Sequence, residues 1–306
     1  MMTSSQSGTP PSLWQIWWLA ARPKTLWAGI APVVMGTAMA YADGSGHVWS
    51  AAVAFAGAVL IQIGTNFCND YADFKKGADT SERLGPTRAT QAGWVTPRAM
   101  GWATVLVFAL AACCAAYLVV RGGWPVALLA VLALLAGVGY TLGPYALAYL
   151  GLGDVFVLIF FGPVAVAGTY YVQAQALHPF VIWAGGAPGL LACAILVVNN
   201  LRDVVQDRQA NKRTLVVRWG ARFARWQYGI MVVSAIVVWP LIGWIGWGQS
   251  AWTLLPMLTL VRAWPPLRMV CGGGEGHRLN PVLGQTAQVL IGYAVFFTLG
   301  VGLSIL

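Results

Sequence analysis

The sequence predicts an all-α, polytopic membrane protein with about nine transmembrane helices in two pseudo-repeated halves around a central cavity. Three observations carry that prediction. Of 306 residues, 58% are hydrophobic and 9% charged, where a soluble domain carries about 25% charged residues. The apolar residues gather in windows long enough to cross a bilayer. The basic residues gather in alternate connections between those windows.

Met1 to Ser12, with its Ser, Thr, Gly and Pro, reads as a flexible tail, and residues 1–19 together as a tail with an interfacial start. No secretory signal is expected, because Arg22 and Lys24 follow the first apolar stretch instead of preceding it. Residues 20–306 are expected to form one transmembrane domain, with halves at 20–142 and 143–306. The windows fall at 25–42, 50–68, 99–120, 124–142, 151–173, 180–199, 225–247, 251–268 and 282–305. Pro, Gly or Arg shorten the fourth and the eighth.

Lys and Arg number two before the first window, five between the second and third, seven between the sixth and seventh, and three at or after the end of the eighth. With nine helices all four regions share one side, and only Arg121 lies opposite. That side is expected to be cytoplasmic, with the N-terminus inside and the C-terminus outside, as suits a bacterial inner-membrane protein. The net charge of +9 then marks a face that meets anionic headgroups or an anionic substrate, not nucleic acid. Many of the sixteen Trp stand near window ends, where they suit interfacial anchoring. The five Cys and three His have no spacing that reads as a metal site, a redox pair or a Ser-His-Asp triad.

Two polar stretches stand out at the ends of apolar windows: Asn66-Phe67-Cys68-Asn69-Asp70-Tyr71-Ala72-Asp73 and Asn199-Asn200-Leu201-Arg202-Asp203-Val204-Val205-Gln206-Asp207. Acidic groups are costly there and rarely lack a task. On a helix, Asn66, Asn69, Asp70 and Asp73 share one face. Asn199 or Asn200, Asp203 and Asp207 do the same, so each stretch offers a column of oxygen ligands. Two such columns facing each other would cradle Mg2+ carrying a phosphate-bearing ligand. The second stretch repeats the first at an offset of 130 residues: Asn69 matches Asn199, Asp70 matches Asn200, and Asp73 matches Asp203. Four windows intervene, so both copies have the same orientation, as in an internal duplication.

At these residues the chain resembles the UbiA superfamily of intramembrane aromatic prenyltransferases. That family carries N-D-x-x-D-x-x-x-D after helix two and D-x-x-x-D after helix six. Asn69-Asp70-x-x-Asp73 and Asp203-x-x-x-Asp207 fill those positions, but Gly77 replaces the third Asp of the first motif, with Asp79 nearby. The run Asn69 to Asp79 is similar to the 1,4-dihydroxy-2-naphthoate branch of the family. Arg22-Pro23-Lys24-Thr25, Arg83-Leu84-Gly85-Pro86-x-Arg88, Tyr149-Leu150-Gly151-Leu152-Gly153-Asp154 and Thr214-Leu215-Val216-Val217-Arg218 point the same way. A Tyr-x-x-x-Lys element of other branches is incomplete: Tyr140 is present, but Pro144 stands where Lys would be.

The resemblance implies transfer of a polyprenyl group from polyprenyl diphosphate to 1,4-dihydroxy-2-naphthoate, with loss of pyrophosphate and CO2, in menaquinone synthesis. Mg2+ would be held by Asp70, Asp73, Asp203 and Asp207 with Asn66, Asn69 and Asn199 assisting. Lys75, Lys76, Arg88, Lys212 and Arg213 are the candidate cations for the diphosphate. Arg22 or Lys24 would meet the naphthoate carboxylate. Phe67, Tyr71, Tyr140, Phe160 and Phe161 are candidate walls around the allylic cation. Asp154, just inside the fifth window, is the candidate to orient a ring hydroxyl or act as a base. Rival readings are another aromatic acceptor (4-hydroxybenzoate or homogentisate), a phytyl donor, and, outside the class, a Mg2+ or ion transporter.

Overall fold

The computed structural model describes residues 11–77 and 84–305, so Asp79, Glu82 and Arg83 lie outside the described residues. Every regular element among the described residues is helical. Helix α1 (Leu13–Ala21) starts at Ser12, which trades side-chain-to-backbone hydrogen bonds with Gln15 in a capping box. It buries Ile16, Ala20 and Ala21, while Trp14 and Trp18 stay exposed and stack on each other. Arg22, with φ 53°, turns the chain into α2 (Pro23–Ala42). Pro23 sits at the helix start, where a missing N–H goes unmissed. The His47 ring caps α3 (Val48–Lys75), and the Thr96 hydroxyl caps α4 (Pro97–Gly139).

A straight helix of 43 residues would be about 65 Å long, twice the bilayer core. α4 avoids this at Gly123, whose φ 69° and ψ −157° break the helix in a region only glycine enters readily. The two arms then run back alongside each other: a Cβ on Gly137 would lie 3.1 Å from Phe108.

Beyond the 140–152 connection, α5 (Gly153–Ile159) passes through a π-turn at Phe160–Val164 into α6 (Ala165–Ala174). Short α7 (Pro179–Ala184) leads into α8 (Gly186–Arg202), followed by α9 (Val204–Gln209) and α10 (Leu215–Val233). A second π-turn at Ser234–Val238 continues α10 into α11 (Trp239–Ile245). A 3-10 segment, Ala251–Thr259, runs into α12 (Leu260–Cys271), and α13 (Asn280–Leu303) closes the bundle.

Seven helical stretches among the described residues are long and apolar enough to cross a bilayer, against nine predicted windows. Two departures from those windows account for the difference. The third and fourth are fused in α4 as the two arms of its hairpin. The eighth combines a 3-10 segment with a helix holding Pro265, Pro266, Arg262 and Arg268, and is not among the seven. It nevertheless lies along α13, where a Cβ on Gly300 would come 2.4 Å from the Trp252 carbonyl oxygen. The chain is an integral membrane protein.

Helix α8 is the hub. Across the span formed by α7 and α8, Pro179–Arg202, 78% of the apolar stretch is buried, against 11% for α4, which faces outward. Helix α8 packs on α5 with almost no side chain between them, since a Cβ on Gly189 would sit 2.4 Å from the Leu158 carbonyl oxygen and 3.0 Å from Gly162 Cα. Close backbone approach of this kind replaces the hydrophobic driving force that lipid does not supply. The buried Tyr228 hydroxyl, on α10, is satisfied by Thr286 of α13 at 2.9 Å. The packing brings the C-terminal ends of α3 and α8 to the same end of the bundle, and with them both Asn/Asp stretches.

Gly189→Val is expected to force α8 off α5 at a cost of about 1–3 kcal/mol or more. It should lower the thermal midpoint of detergent-solubilised protein, read by loss of the monodisperse chromatographic peak. Gly139→Ala, whose Cβ would meet nothing within 4 Å, should leave that midpoint unchanged.

Candidate active site

The end of α3 is held by polar contacts on every side. Asn66 donates through Nδ2 to the Ala21 carbonyl at 2.9 Å and to Thr25 Oγ1 at 3.1 Å, tying α3 to the α1–α2 junction. Asn69 Oδ1 accepts the Thr141 hydroxyl from the 140–152 connection. Asp70 accepts the backbone N–H groups of Ala89 at 3.0 Å and Thr90 at 3.2 Å. Asp73 is the most heavily engaged. Its carboxylate accepts from Arg88 Nη2, Lys212 Nζ and the Tyr149 hydroxyl, each at 3.1 Å. All of Asp73, Arg88 and Asp70 are buried, and a buried charge persists only when paired in this way.

The second column departs from the expected single helical face. α8 ends at Arg202, and Asp203 (φ −96°, ψ 13°) breaks the helix before α9 carries Asp207. Asn199 and Asp203 are both gripped by Arg202. Its Nε and Nη2 reach the two Asp203 oxygens at 2.7 and 2.6 Å, and Nη2 also reaches Asn199 Oδ1 at 2.8 Å. Its Nη1 donates to Asn280 of α13 at 3.2 Å, and Asn280 in turn donates to the Leu84 carbonyl at 2.9 Å. A bidentate fork of this kind fixes carboxylate orientation as well as charge.

A cavity of about 420 Å³ joins the two columns. Asn66, Asn69, Asp73, Asn199, Asn200, Asp203 and Asp207 line it, together with the cations Arg22, Arg88 and Lys212. Asp73 and Ala54, both in its wall, are about 28 Å apart along α3, so the cavity continues nearly through the bilayer core. Away from the columns its wall is apolar and small, with Gly57, Ala111, Ala115, Ala133 and Gly168 among its residues. Tyr140, Phe160 and Phe161 line it between these regions.

Several residues named from the sequence stand elsewhere. Asp70 faces the 88–90 turn, because its position on α3 is rotated from Asp73 toward that segment. Asp154 does not line the cavity. Its Oδ1 accepts from Gln227 Nε2 at 2.9 Å and lies 3.8 Å from Cys193 Sγ, turned from the cavity toward α8 and α10. Lys24 and Lys75 are exposed, the latter with its amine 4.9 Å from the Tyr71 ring centroid. Arg213 is exposed and meets the 140–152 connection through its backbone N–H to the Tyr149 carbonyl. Lys76 points its amine at the Thr141 carbonyl, 2.6 Å away, and over the Tyr149 ring at 4.1 Å. Burial holds that amine below the usual lysine range, with Asp73 opposing the shift and Lys212 adding to it. Phe67 packs on Trp17 instead of lining the cavity.

Four residues of the site went unnoticed in the sequence. Arg202 lay inside the quoted second stretch, where a cation between two ligand positions was a legible signal. Tyr149 opens the quoted Tyr149–Asp154 run but has no role of its own there, and Thr141 carries no such signal. Asn280 sits 78 residues from its partner Arg202, a separation that only folding closes.

The donors that reach the cavity from both columns are oxygens, which suits a hard divalent cation that keeps few protein ligands and completes its shell with water and phosphate. No three His, Cys, Asp or Glu side chains among the described residues form a metal cluster by themselves. The oxygen donors that line the cavity fit a divalent cation that takes part of its shell from water or a bound anion.

Residues 29–269 match the UbiA prenyltransferase family. The 1,4-dihydroxy-2-naphthoate octaprenyltransferase of Haemophilus influenzae is 33% identical, over 94% of this chain and 95% of that protein. The protein of the same name from Mycobacterium tuberculosis is 37% identical, over 91% of this chain and 94% of its own length. Among solved structures, a UbiA homolog from Archaeoglobus fulgidus bound to GPP and Mg2+ superposes with a TM-score of 0.65 at 14% identity, over 94% of this chain and 99% of that one. Both columns, Arg88, Tyr140, Tyr149 and Lys212 fall inside the matched stretch, and the chain belongs to the UbiA prenyltransferase family.

Proposed function

We propose that the protein transfers a polyprenyl group from a polyprenyl diphosphate to 1,4-dihydroxy-2-naphthoate, releasing pyrophosphate and CO2, as a step of menaquinone synthesis. The observation that carries this reading is one cavity with a charged head and a long apolar body. The head offers oxygens and cations, as a metal-bound diphosphate requires. The body offers small apolar walls along α3, as a prenyl chain requires. The names of the bacterial relatives supply the acceptor. We place the enzyme in the bacterial cytoplasmic membrane with the charged head on the cytoplasmic side, from the distribution of Lys and Arg.

Asp73, Asp203 and Asp207, with Asn66, Asn69 and Asn199, are the residues that would hold Mg2+. When bound, Mg2+ would supply positive charge against the diphosphate as its C–O bond breaks. Arg88 and Lys212 take up the remaining phosphate charge, and the bidentate reach of Arg88 suits that task. Arg22, which lines the cavity beside Thr25, is our candidate to meet the carboxylate of the acceptor. The faces of Tyr140, Phe160 and Phe161 attract the allylic cation while the apolar wall keeps water from it. The ring carbon that bears the carboxylate attacks the first carbon of the allylic cation. The deprotonated carboxylate then leaves as CO2, and the electron pair of the broken ring–carboxylate bond returns to the ring and restores its aromaticity. We assign Asp70 to the 88–90 turn that presents Arg88, and Asp154 to the packing of α5 on α8 and α10.

Purified protein supplied with Mg2+, 1,4-dihydroxy-2-naphthoate and prenyl diphosphates should form a decarboxylated prenyl product by mass spectrometry, and EDTA should stop it. Absence of that product with every donor length would sink the assignment. Asp73→Asn and Asp203→Asn should each lower kcat about 10²–10³-fold, the scale of one lost electrostatic contact to the transition state. Asp70→Asn should instead lower the thermal midpoint, by about 1–3 kcal/mol of stability, as one N–H of the 88–90 turn loses its acceptor. A Cβ on Gly168 meets nothing within 4 Å, so Gly168→Leu projects into the apolar body. It should reduce kcat/KM for long donors far more than for short ones.

A further inference from the structure

The lysine expected four residues after Tyr140 is absent, with Pro144 in its place. A diphosphate site that lacks it needs a cation from elsewhere, and the structure brings two to a single ring. Lys76 Nζ lies 4.1 Å and Lys212 Nζ 5.1 Å from the Tyr149 ring centroid. The Tyr149 hydroxyl donates to Asp73 at 3.1 Å, and Lys212 reaches the same carboxylate at 3.1 Å. Of the two amines, only that of Lys212 belongs to a cavity-lining residue.

We propose that Tyr149 is a positioning residue that carries Lys212 on its ring and delivers it to the diphosphate in place of the missing lysine. Three observations converge on that role. The ring holds an ammonium by its face, a contact that fixes position without consuming the N–H donors. Lys76 stays bonded to the Thr141 carbonyl at 2.6 Å, so it serves to hold Tyr149 and leaves Lys212 as the mobile partner. Lys212 and Arg88 together neutralise Asp73 in the structure described, with side chains 16% and 7% exposed. A metal ion that takes Asp73 must displace at least one of them, and the released cation finds its new partner in the phosphate oxygens. Lys212 and Asp73 thus exchange partners: lysine from carboxylate to phosphate, carboxylate from lysine to metal. Metal and diphosphate therefore bind each other's half-site better together than either binds alone, which is a coupling free energy between two ligands.

This inference rests on the diphosphate reading above, and its test is separable from the identity of the acceptor. The probe is inorganic pyrophosphate, titrated with and without Mg2+ into purified protein in nanodiscs, by calorimetry. Wild type should bind pyrophosphate at least about tenfold more tightly with Mg2+ present than absent. Lys212→Met should weaken Mg2+-pyrophosphate binding about tenfold or more while tightening Mg2+ binding measured alone, because Asp73 has lost a competitor. Tyr149→Leu should weaken pyrophosphate binding as Lys212→Met does, and Tyr149→Phe should restore most of it, since the ring survives. The KM for the aromatic acceptor should not move in any variant that purifies as a single chromatographic peak. Equal pyrophosphate affinity in Tyr149→Leu and wild type would overturn the proposal, as would a Phe variant as weak as Leu or unchanged Mg2+ affinity in Lys212→Met. Loss of pyrophosphate binding in these variants without any prenylated naphthoate from wild type would retain this proposal and overturn the choice of acceptor.

Discussion

Asp73 holds one negative charge among two cations and a phenol, and four otherwise separate segments meet on it. α3 supplies the carboxylate, the 84–96 segment Arg88, the 140–152 connection Tyr149, and the α9–α10 connection Lys212. Apart from α3, which packs through its apolar length, these are short connections without a membrane-spanning apolar face. Their order depends on charge pairing in a place where an unpaired partner costs about 3–5 kcal/mol. The same pairing sets the shape of the mouth of the cavity, because each partner of Asp73 is also a residue of that mouth or its support.

A second grip, that of Arg202, fixes the other wall. Its fork orients Asp203 and Asn199 and reaches through Asn280 to the Leu84 carbonyl. The 84–96 segment is therefore tied at two points: at 88–90 to α3 through Asp70 and Asp73, and at Leu84 to α13 and α8 through Asn280 and Arg202. The charged head is thus built by connections between helices, while the apolar body is built by the helices themselves. Loops carry the chemistry and the bundle supplies the shape. Lipid provides no driving force to press the helices together, so the bundle relies on close contacts such as Gly189 on Leu158 and on buried pairs such as Tyr228 with Thr286.

These arrangements explain why the two Asn/Asp stretches do not contribute equally residue by residue. On α3 a regular helix turns Asn66, Asn69 and Asp73 toward the cavity and rotates Asp70 onto the 88–90 turn. At the end of α8 the helix stops, and the break at Asp203 lets Asp203 and Asp207 both reach the cavity from separate helices. Gly77, in place of a third carboxylate, takes φ 65° just past the end of α3.

The sequence by itself determined the class of the protein, its membrane character and the oxygen-bearing side chains that two short stretches bring to its head. Those properties depend on local quantities: the length of apolar windows, the side on which basic residues gather, and the residue types of two short stretches. Two long predicted windows merged into α4 because periodicity alone does not register a reversal at one glycine. Only the tertiary structure decided which polar residues act together. In the sequence Asp70 reads as a partner of Asp73 in one column, and Asp154 as a separate base or orienting group. Yet rotation along α3 turns Asp73 into the cavity and Asp70 onto the 88–90 turn, and Asp154 is buried against α8 and α10. Arg202 with Asn280, and Tyr149 with Lys76 and Lys212, are contacts across 63 to 78 residues of chain. They exist because packing brings four connections to one end of the bundle, where a charge in low dielectric must find whichever partner the fold delivers.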